Sequence, residues 1–190
     1  MDYVKIIVGS ILVNNFVLAQ FLGICPTLGV SKKIETSVGM GMAVTFVITL
    51  ASIITKLIND YILVNYNLTY LKTIAFILVI ASLVQFVEMV LKKVSPGLYN
   101  ALGVFLPLIT TNCIVLGVAI LNVDSGYDMM ETIVSGLAAS VGFTIALVLL
   151  AAINEKYQKV NISKSFKGIP VALLALGLMS IAFYGFKGLI

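Results

Sequence analysis

The sequence predicts an all-α integral membrane protein with six transmembrane helices, arranged as two inverted three-helix repeats in which helices 1 and 4 are broken. Composition, the spacing of apolar segments and ordered internal matches support this prediction. Hydrophobic residues make up 61% of the 190 residues and charged residues 11%, and the mean hydropathy is +1.13. Soluble domains average roughly 45–50% apolar and about 25% charged residues, so the composition indicates a membrane protein.

Six apolar segments account for most of the chain. A helix needs about 20 apolar residues to cross a bilayer core of about 30 Å, so 190 residues provide about six spans joined by short turns. The predicted spans are 4–24, 37–58, 70–91, 97–122, 130–153 and 168–188. No polar stretch between them is long enough for a soluble domain, and we expect a single transmembrane domain over residues 1–190.

The lysines predict the orientation, because the chain contains no arginine. Eight of the 12 lysines fall in the loops after helices 1, 3 and 5: Lys32, Lys33, Lys92, Lys93, Lys156, Lys159, Lys164 and Lys167. Loops rich in lysine remain in the cytoplasm, so these loops are expected inside and both termini outside. The basic charge therefore belongs to loops beside membrane lipid, and no nucleic-acid partner is expected.

Three short internal matches predict a duplication. In chain order they pair Asn14–Ala19 with Asn112–Gly117, Glu35–Val38 with Glu131–Val134, and Lys72–Ile74 with Lys167–Ile169, at offsets of 98, 96 and 95 residues. These offsets divide the chain into repeat one, about 1–94, and repeat two, about 95–190. Because each repeat has three helices, the second is inserted upside down. Inverted repeats often form their functional site near the bilayer midplane, where broken helices meet.

Two cysteines stand where the apolar helices are interrupted. Their contexts are Leu22-Gly23-Ile24-Cys25-Pro26 and Thr110-Thr111-Asn112-Cys113. Two thiolates are half of the four-ligand set of a typical iron-sulfur cluster. If Cys25 and Cys113 bind such a metal centre, the remaining ligands must come from elsewhere.

A shared site requires broken helices. On straight helices rising about 1.5 Å per residue, Cys25 would lie roughly 30 Å inward and Cys113 roughly 24 Å outward from their helix starts, on opposite sides of the membrane. The sequence offers breaks at Asn14-Asn15 and from Pro107 to Asn112. Proline removes a helix hydrogen bond, and amide side chains can satisfy the freed backbone groups inside a bilayer.

Other interpretations of these residues stay open on the sequence alone. Buried cysteine often serves as a small hydrophobic residue, whereas a disulfide is disfavoured by the same straight-helix separation and the lack of a secreted domain. Asn14, Asn15 and Asn112 either join helices by hydrogen bonds or support the backbone around a metal centre. The chain has no histidine, which excludes imidazole ligands and histidine-dependent catalysis.

Several runs closely resemble the A-type subunits of the Rnf (Rsx) complexes, within the family that also contains subunits of the sodium-pumping quinone reductase Nqr. The runs are Val13–Leu18, Phe21–Pro26, Gly29–Lys33, Phe76–Ala81, Gly103–Cys113 and Ala175–Ser180. They extend over essentially the whole chain. Cys25-Pro26 and Asn14-Asn15 favour the Rnf branch over the Nqr branch.

The resemblance implies a membrane subunit of a redox-driven ion translocase in a bacterial or archaeal cytoplasmic membrane. Such complexes couple electron transfer between reduced ferredoxin and NAD to Na⁺ or H⁺ movement. The A-type subunit pairs with its paralogue, the E-type subunit, inserted the opposite way up, and each gives two cysteines to a shared [2Fe-2S] cluster. By resemblance the ligands here are Cys25 and Cys113. The flavin, nicotinamide and soluble iron-sulfur sites belong to the other subunits (B, C, D and G), so this chain is not expected to be catalytic alone.

The alternative function is a six-helix small-solute transporter or vitamin-binding membrane component, which would share the small size and inverted repeats. A purely structural membrane scaffold is a third interpretation. A transporter needs no chromophore, and the scaffold would be colourless and indifferent to Cys25 and Cys113. An iron-sulfur protein would be brown, so colour distinguishes it from the other two.

Overall fold

The computed structural model describes residues 2–31, 33–65, 69–94, 108–109, 111–158 and 168–186, and their regular secondary structure is all helical. The helices are α1 (Asp2–Val8), α2 (Ile24–Val30), α3 (Ile34–Ile58), α4 (Lys72–Val94), α5 (Cys113–Asp124), α6 (Met129–Gln158) and α7 (Ile169–Tyr184). Single π-helical turns extend α1 over Gly9–Val13 and α3 over Asn59–Leu63, and a 3₁₀ turn over Thr69–Leu71 precedes α4. The prediction of an all-α protein with several apolar helices is confirmed.

Three of the described helices are long and apolar enough to cross a membrane. They are Ile34–Leu63, Lys72–Val90 and Met129–Gln158, with mean hydropathies of 2.0, 2.2 and 2.3. They correspond to the predicted spans 37–58, 70–91 and 130–153. Shorter apolar helices cover Tyr3–Val13, Cys113–Asp124 and Ile169–Tyr184.

The predicted spans 4–24 and 97–122, both expected to be broken, are each described only in part as helix. In the first, the helix ends at Val13 and the next begins only at Ile24. In the second span, residues 97–107, which include Pro107, and Thr110 lie outside the described residues. Helix α5 forms the C-terminal part of this span. The full number of spans therefore stays a prediction.

Helices α3 and α6 run antiparallel and form the most extensive helix interface in the described structure. Near the end of α6, the Asn154 side-chain amide donates to Ser31 Oγ, just before α3, at 2.9 Å. Near the start of α6, a Cβ atom added to Gly136 would lie 3.2 Å from Ser52 Oγ in the second half of α3. The start of one helix thus lies beside the end of the other, which is the antiparallel arrangement.

Glycine permits the close approach of these two helices. A Cβ atom added to Gly41 of α3 would lie 2.5 Å from the Thr144 side chain of α6, which is closer than real atoms approach. Small residues at helix interfaces are typical of membrane proteins, where close backbone packing rather than the hydrophobic effect joins helices. Gly41 therefore helps to set the distance between α3 and α6.

Burial distinguishes the central helix from the peripheral ones. In the most apolar part of α6, 56% of the residues are buried, against 17% in that of α4. The exposed large apolar side chains of α4 and α7 include Ile74, Leu78, Phe86, Leu178 and Ile181. A surface of this size and polarity needs lipid or another membrane protein beside it.

Candidate functional site

The chain leaves the helical path after Val13 and returns to it at Ile24, and residues 14–23 form what we call the interruption. Two of its residues adopt the left-handed conformation, Phe21 with φ of 56° and Gly23 with φ of 81°. A large aromatic residue rarely adopts this conformation. The interruption is therefore held by the contacts around it rather than by local preference.

Asn15 holds the start of the interruption. Its side chain is 1% exposed, and its Oδ1 accepts hydrogen bonds from the backbone N–H groups of Val17 (3.0 Å) and Leu18 (3.3 Å). Its Nδ2 donates to the carbonyl oxygens of Ile11 (3.1 Å) and Gly142 (2.9 Å). A primary amide has two N–H donors and a two-lone-pair acceptor, so Asn15 uses its full capacity and ties the interruption to α6.

Helix α7 also supports the interruption. The Ser180 hydroxyl donates to the Leu18 carbonyl oxygen at 2.7 Å. A cavity of about 250 Å³ lies beside this contact, and its lining includes Asn14, Asn15 and Tyr184. Asn14, in contrast to Asn15, is exposed, and its backbone N–H donates to the Gly9 carbonyl oxygen at 2.6 Å.

Gly23 joins the interruption to the second cysteine. Its backbone N–H donates to Cys113 Sγ at 2.9 Å. A Cβ atom added to Gly23 would lie 3.1 Å from the Phe143 ring and 3.3 Å from Asn112 Oδ1. Two separate reasons favour glycine here: the backbone φ is left-handed, and the neighbouring side chains leave little room for a Cβ atom.

Both cysteines lie in the first turn of a helix, close to Gly23. Cys25 is the second residue of α2 and is exposed, and Cys113 is the first residue of α5 and is partly buried; both are free thiols. Two peptide units separate Gly23 from Cys25, so their Cα atoms are at most about 7.6 Å apart. The interruption thus brings the backbone beside Cys25 to the sulfur of Cys113, whereas straight helices would have separated them.

Asn112 is the N-cap of α5. Its Oδ1 accepts from the Ile114 N–H at 3.3 Å, which satisfies one of the free donors at the start of a helix. The side chain is 4% exposed. Within the described structure its Nδ2 has no hydrogen-bond partner. An unused buried donor therefore lies one residue from Cys113.

The packing around the cysteines is reciprocal, which sequence reasoning missed. A Cβ atom added to Gly117, four residues after Cys113, would lie 2.6 Å from Leu22 Cδ1; one added to Gly29, four residues after Cys25, would lie 3.1 Å from Leu108 Cδ1. The glycine that follows each cysteine is thus packed against a leucine that precedes the other cysteine in the chain. The signal was present as the pattern Cys-x-x-Leu-Gly-Val, which begins at both cysteines.

Other ligand clusters are lacking in the parts of the chain that are described. Across those ranges no group of three or more His, Cys, Asp or Glu side chains is positioned to hold a metal ion. The cysteine pair is the candidate ligand set there, with Gly23 N–H donating to Cys113 Sγ and Asn112 preceding Cys113 in the chain.

Comparison with known proteins identifies the family. The sequence profile of the family described as "Rnf-Nqr subunit, membrane protein" matches residues 3–190. The chain belongs to the Rnf-Nqr family of membrane subunits. This confirms the resemblance inferred from the sequence.

Bacterial relatives within the Rnf-Nqr family are similar over their full length. The chain is 57% identical over 189 residues to a protein of Escherichia fergusonii and 56% identical over 189 residues to one of Serratia proteamaculans, covering 100% of this chain and 98% of each relative. A protein of Sodalis glossinidius is 55% identical over 188 residues, covering 99% of this chain and 97% of the relative. All three are named as the A subunit of an ion-translocating oxidoreductase complex.

Proposed function

We propose that this chain is the A-type membrane subunit of an Rnf-type ferredoxin:NAD oxidoreductase, in which electron transfer drives Na⁺ or H⁺ across the membrane. In this proposal Cys25 and Cys113 are two ligands of a [2Fe-2S] cluster, and the paralogous E-type subunit supplies the other two. The chain acts as part of a redox-driven translocase and is not catalytic alone. The hydrogen bond from Gly23 N–H to Cys113 Sγ carries the proposal, because it joins the backbone beside one thiol to the other thiol.

The residues around the thiols fit such a group. Iron-sulfur clusters are held by cysteine thiolates, and hydrogen bonds to the sulfurs adjust their potential. Gly23 N–H already donates to Cys113 Sγ, and the buried Nδ2 of Asn112 is free to donate. Cys25 is exposed on this chain, which suits a ligand set completed by a second protein.

When bound, the cluster supplies a one-electron carrier inside a bilayer core of about 30 Å. The chain's own residues position the thiols and limit access of water. Asn15 fixes the interruption against α6, while Leu22 and Leu108 pack against the two glycines that follow the cysteines. The buried ring of Phe143 lies against Gly23 and shields this side of the site from water.

The proposed architecture is six spans in two inverted repeats, about 1–94 and 95–190, with helices 1 and 4 broken. Helix α3 with its π turn and helix α6 are each 30 residues long, and Met129 follows Ile34 by 95 residues. These two helices run antiparallel, as inverted copies would. The shared Cys-x-x-Leu-Gly-Val pattern and the reciprocal leucine–glycine contacts add independent support.

Two contacts support the six-span layout, in which we place both termini outside the cytoplasmic membrane. The ion pair of Lys72 with Asp124 joins the start of α4 to the end of α5, two helix ends that the six-span layout assigns to the outer side. The hydrogen bond of Asn154 to Ser31 joins two chain segments assigned to the inner side. The exposed apolar faces of α4 and α7 provide surface for lipid, for the E-type paralogue, or for the other proposed partners, the B, C, D and G subunits.

The test is the absorption and EPR spectrum of the chain co-purified with its paralogue. A brown preparation with about two irons per pair and an EPR signal on reduction is the expected result, because two ligands from each chain complete one cluster. An assembled, colourless and iron-free pair would contradict the proposal. It would favour the transporter or scaffold interpretation instead.

A further inference from the structure

We propose that the side-chain amide of Asn112 is a hydrogen-bond donor to the sulfur ligands of the proposed cluster, and that it raises the cluster's reduction potential together with Gly23 N–H. This inference rests on the proposed function. It assigns Asn112 a positioning and tuning role, since it acts through the group held at Cys113.

The oxygen of the Asn112 side-chain amide has a hydrogen-bond partner, whereas its nitrogen has none in the described structure. Oδ1 accepts from Ile114 N–H and lies close to Gly23. Nδ2 is buried and has no partner in the described structure. Buried donors are nearly always paired, and an exception calls for a ligand, ion or water that completes it. Because Asn112 directly precedes Cys113 in the chain, we assign a sulfur of the proposed site as the missing acceptor.

A second buried asparagine, which lies within α5, provides a built-in comparison. Asn122 is 1% exposed, its Oδ1 accepts from the Ser135 hydroxyl at 2.7 Å, and its Nδ2 also lacks a partner in the described structure. It lies nine residues beyond Cys113, which is about 14 Å along the helix. An effect that depends on distance from the cysteine must appear at Asn112 and not at Asn122.

The expected effect has a definite sign. Reduction adds one electron to the group held by the thiolates, and no bond to the chain forms or breaks. A donor N–H stabilises the more negative, reduced state and raises the reduction potential. Removing the donor should make reduction less favourable.

The experiment is a potentiometric EPR titration of the purified complex with dithionite and mediators, for Asn112→Ser and Asn122→Ser. Serine is a good N-cap residue, so Asn112→Ser keeps the cap on α5 and removes the amide. We expect the equilibrium constant for reduction to fall about tenfold, which is about 59 mV for one electron. Asn122→Ser should leave the potential unchanged. Equal potentials for both variants and wild type would overturn the inference.

A second measurement guards against a variant that fails to assemble. In wild-type complex labelled with ¹⁵N-asparagine, pulsed EPR should detect an asparagine ¹⁵N coupling to the reduced cluster. Absence of any such coupling would overturn the inference while leaving the proposed function intact. A wild-type complex without any cluster signal would instead refute the proposed function, so the two failures are distinguishable.

Discussion

Gly23→Ala is expected to disrupt the site while leaving the membrane helices inserted. Alanine at a φ of 81° incurs a left-handed strain of about 1–2 kcal/mol. Its Cβ would lie 3.1 Å from the Phe143 ring and 3.3 Å from Asn112 Oδ1, and overpacking of this kind typically costs about 1–3 kcal/mol. The two contributions together give about 2–5 kcal/mol, concentrated at the N–H group that contacts Cys113.

The measurement for Gly23→Ala is iron per purified complex, together with the temperature at which half of the complex loses its assembled peak on size-exclusion chromatography. Both should fall. Gly39→Ala is the matched control, because a Cβ atom at Gly39 meets nothing within 4 Å and alanine is favoured over glycine inside a helix by about 1 kcal/mol. If Gly23→Ala keeps wild-type iron and stability, the interruption does not depend on this glycine and the reasoning is wrong.

Three further predictions address the interruption, the packing and the orientation. Asn15→Ala should destabilise the complex by at least about 2 kcal/mol, because it leaves several buried backbone groups unpaired, whereas Asn14→Ala should change little; equal thermal stability of the two would contradict this. Leu22→Ala should lower stability by about 1–3 kcal/mol, since it opens a cavity against α5, and Leu173→Ala on the exposed face of α7 should not, as thermal denaturation would report. A cysteine placed at Lys33 in a cysteine-free background should label from the cytoplasm and one at either terminus from outside; a cytoplasmic C-terminus would refute the six-span layout.

The sequence was most informative about the long apolar helices. The predicted spans 37–58, 70–91 and 130–153 correspond to described helices because each is a continuous apolar stretch, and bilayer thickness sets its length. The first span was different. Its residues 4–24 are largely apolar, and the sequence predicted a break at Asn14-Asn15; the helix ends at Val13, and residues 14–23 follow another path. That path depends on contacts with α5, α6 and α7, which hydropathy does not encode.

The sequence could not separate the two adjacent asparagines. Asn14 and Asn15 were equal candidates for supporting the site, but Asn15 is buried with four hydrogen bonds from its side chain and Asn14 is exposed. The difference arises because the chain turns between them and directs one amide toward Gly142. Tertiary contacts, and not residue type, assign the role.

The contact of Gly23 with Cys113 was likewise hidden, although the nearby Cys25 was a candidate ligand on the sequence alone. A glycine before a cysteine has many uses, and its positive φ and its contact with Cys113 appear only in the folded chain. The repeated Cys-x-x-Leu-Gly-Val pattern was available in the sequence, but the internal alignment that matched Asn15 with Cys113 obscured it.

The central claim is that Cys25 and Cys113 bind iron together, and Cys25→Ser and Cys113→Ser test it most directly. Serine replaces the soft sulfur by a hard oxygen with little change in size, so the helices should remain inserted and the complex assembled. Ala19→Ser, which adds a hydroxyl to an exposed position of the interruption, controls for the hydroxyl itself. Iron content and the reduced EPR signal should be lost in each cysteine variant and kept in the control. A fully assembled double variant with wild-type iron and EPR signal would contradict the account and reduce both cysteines to packing residues.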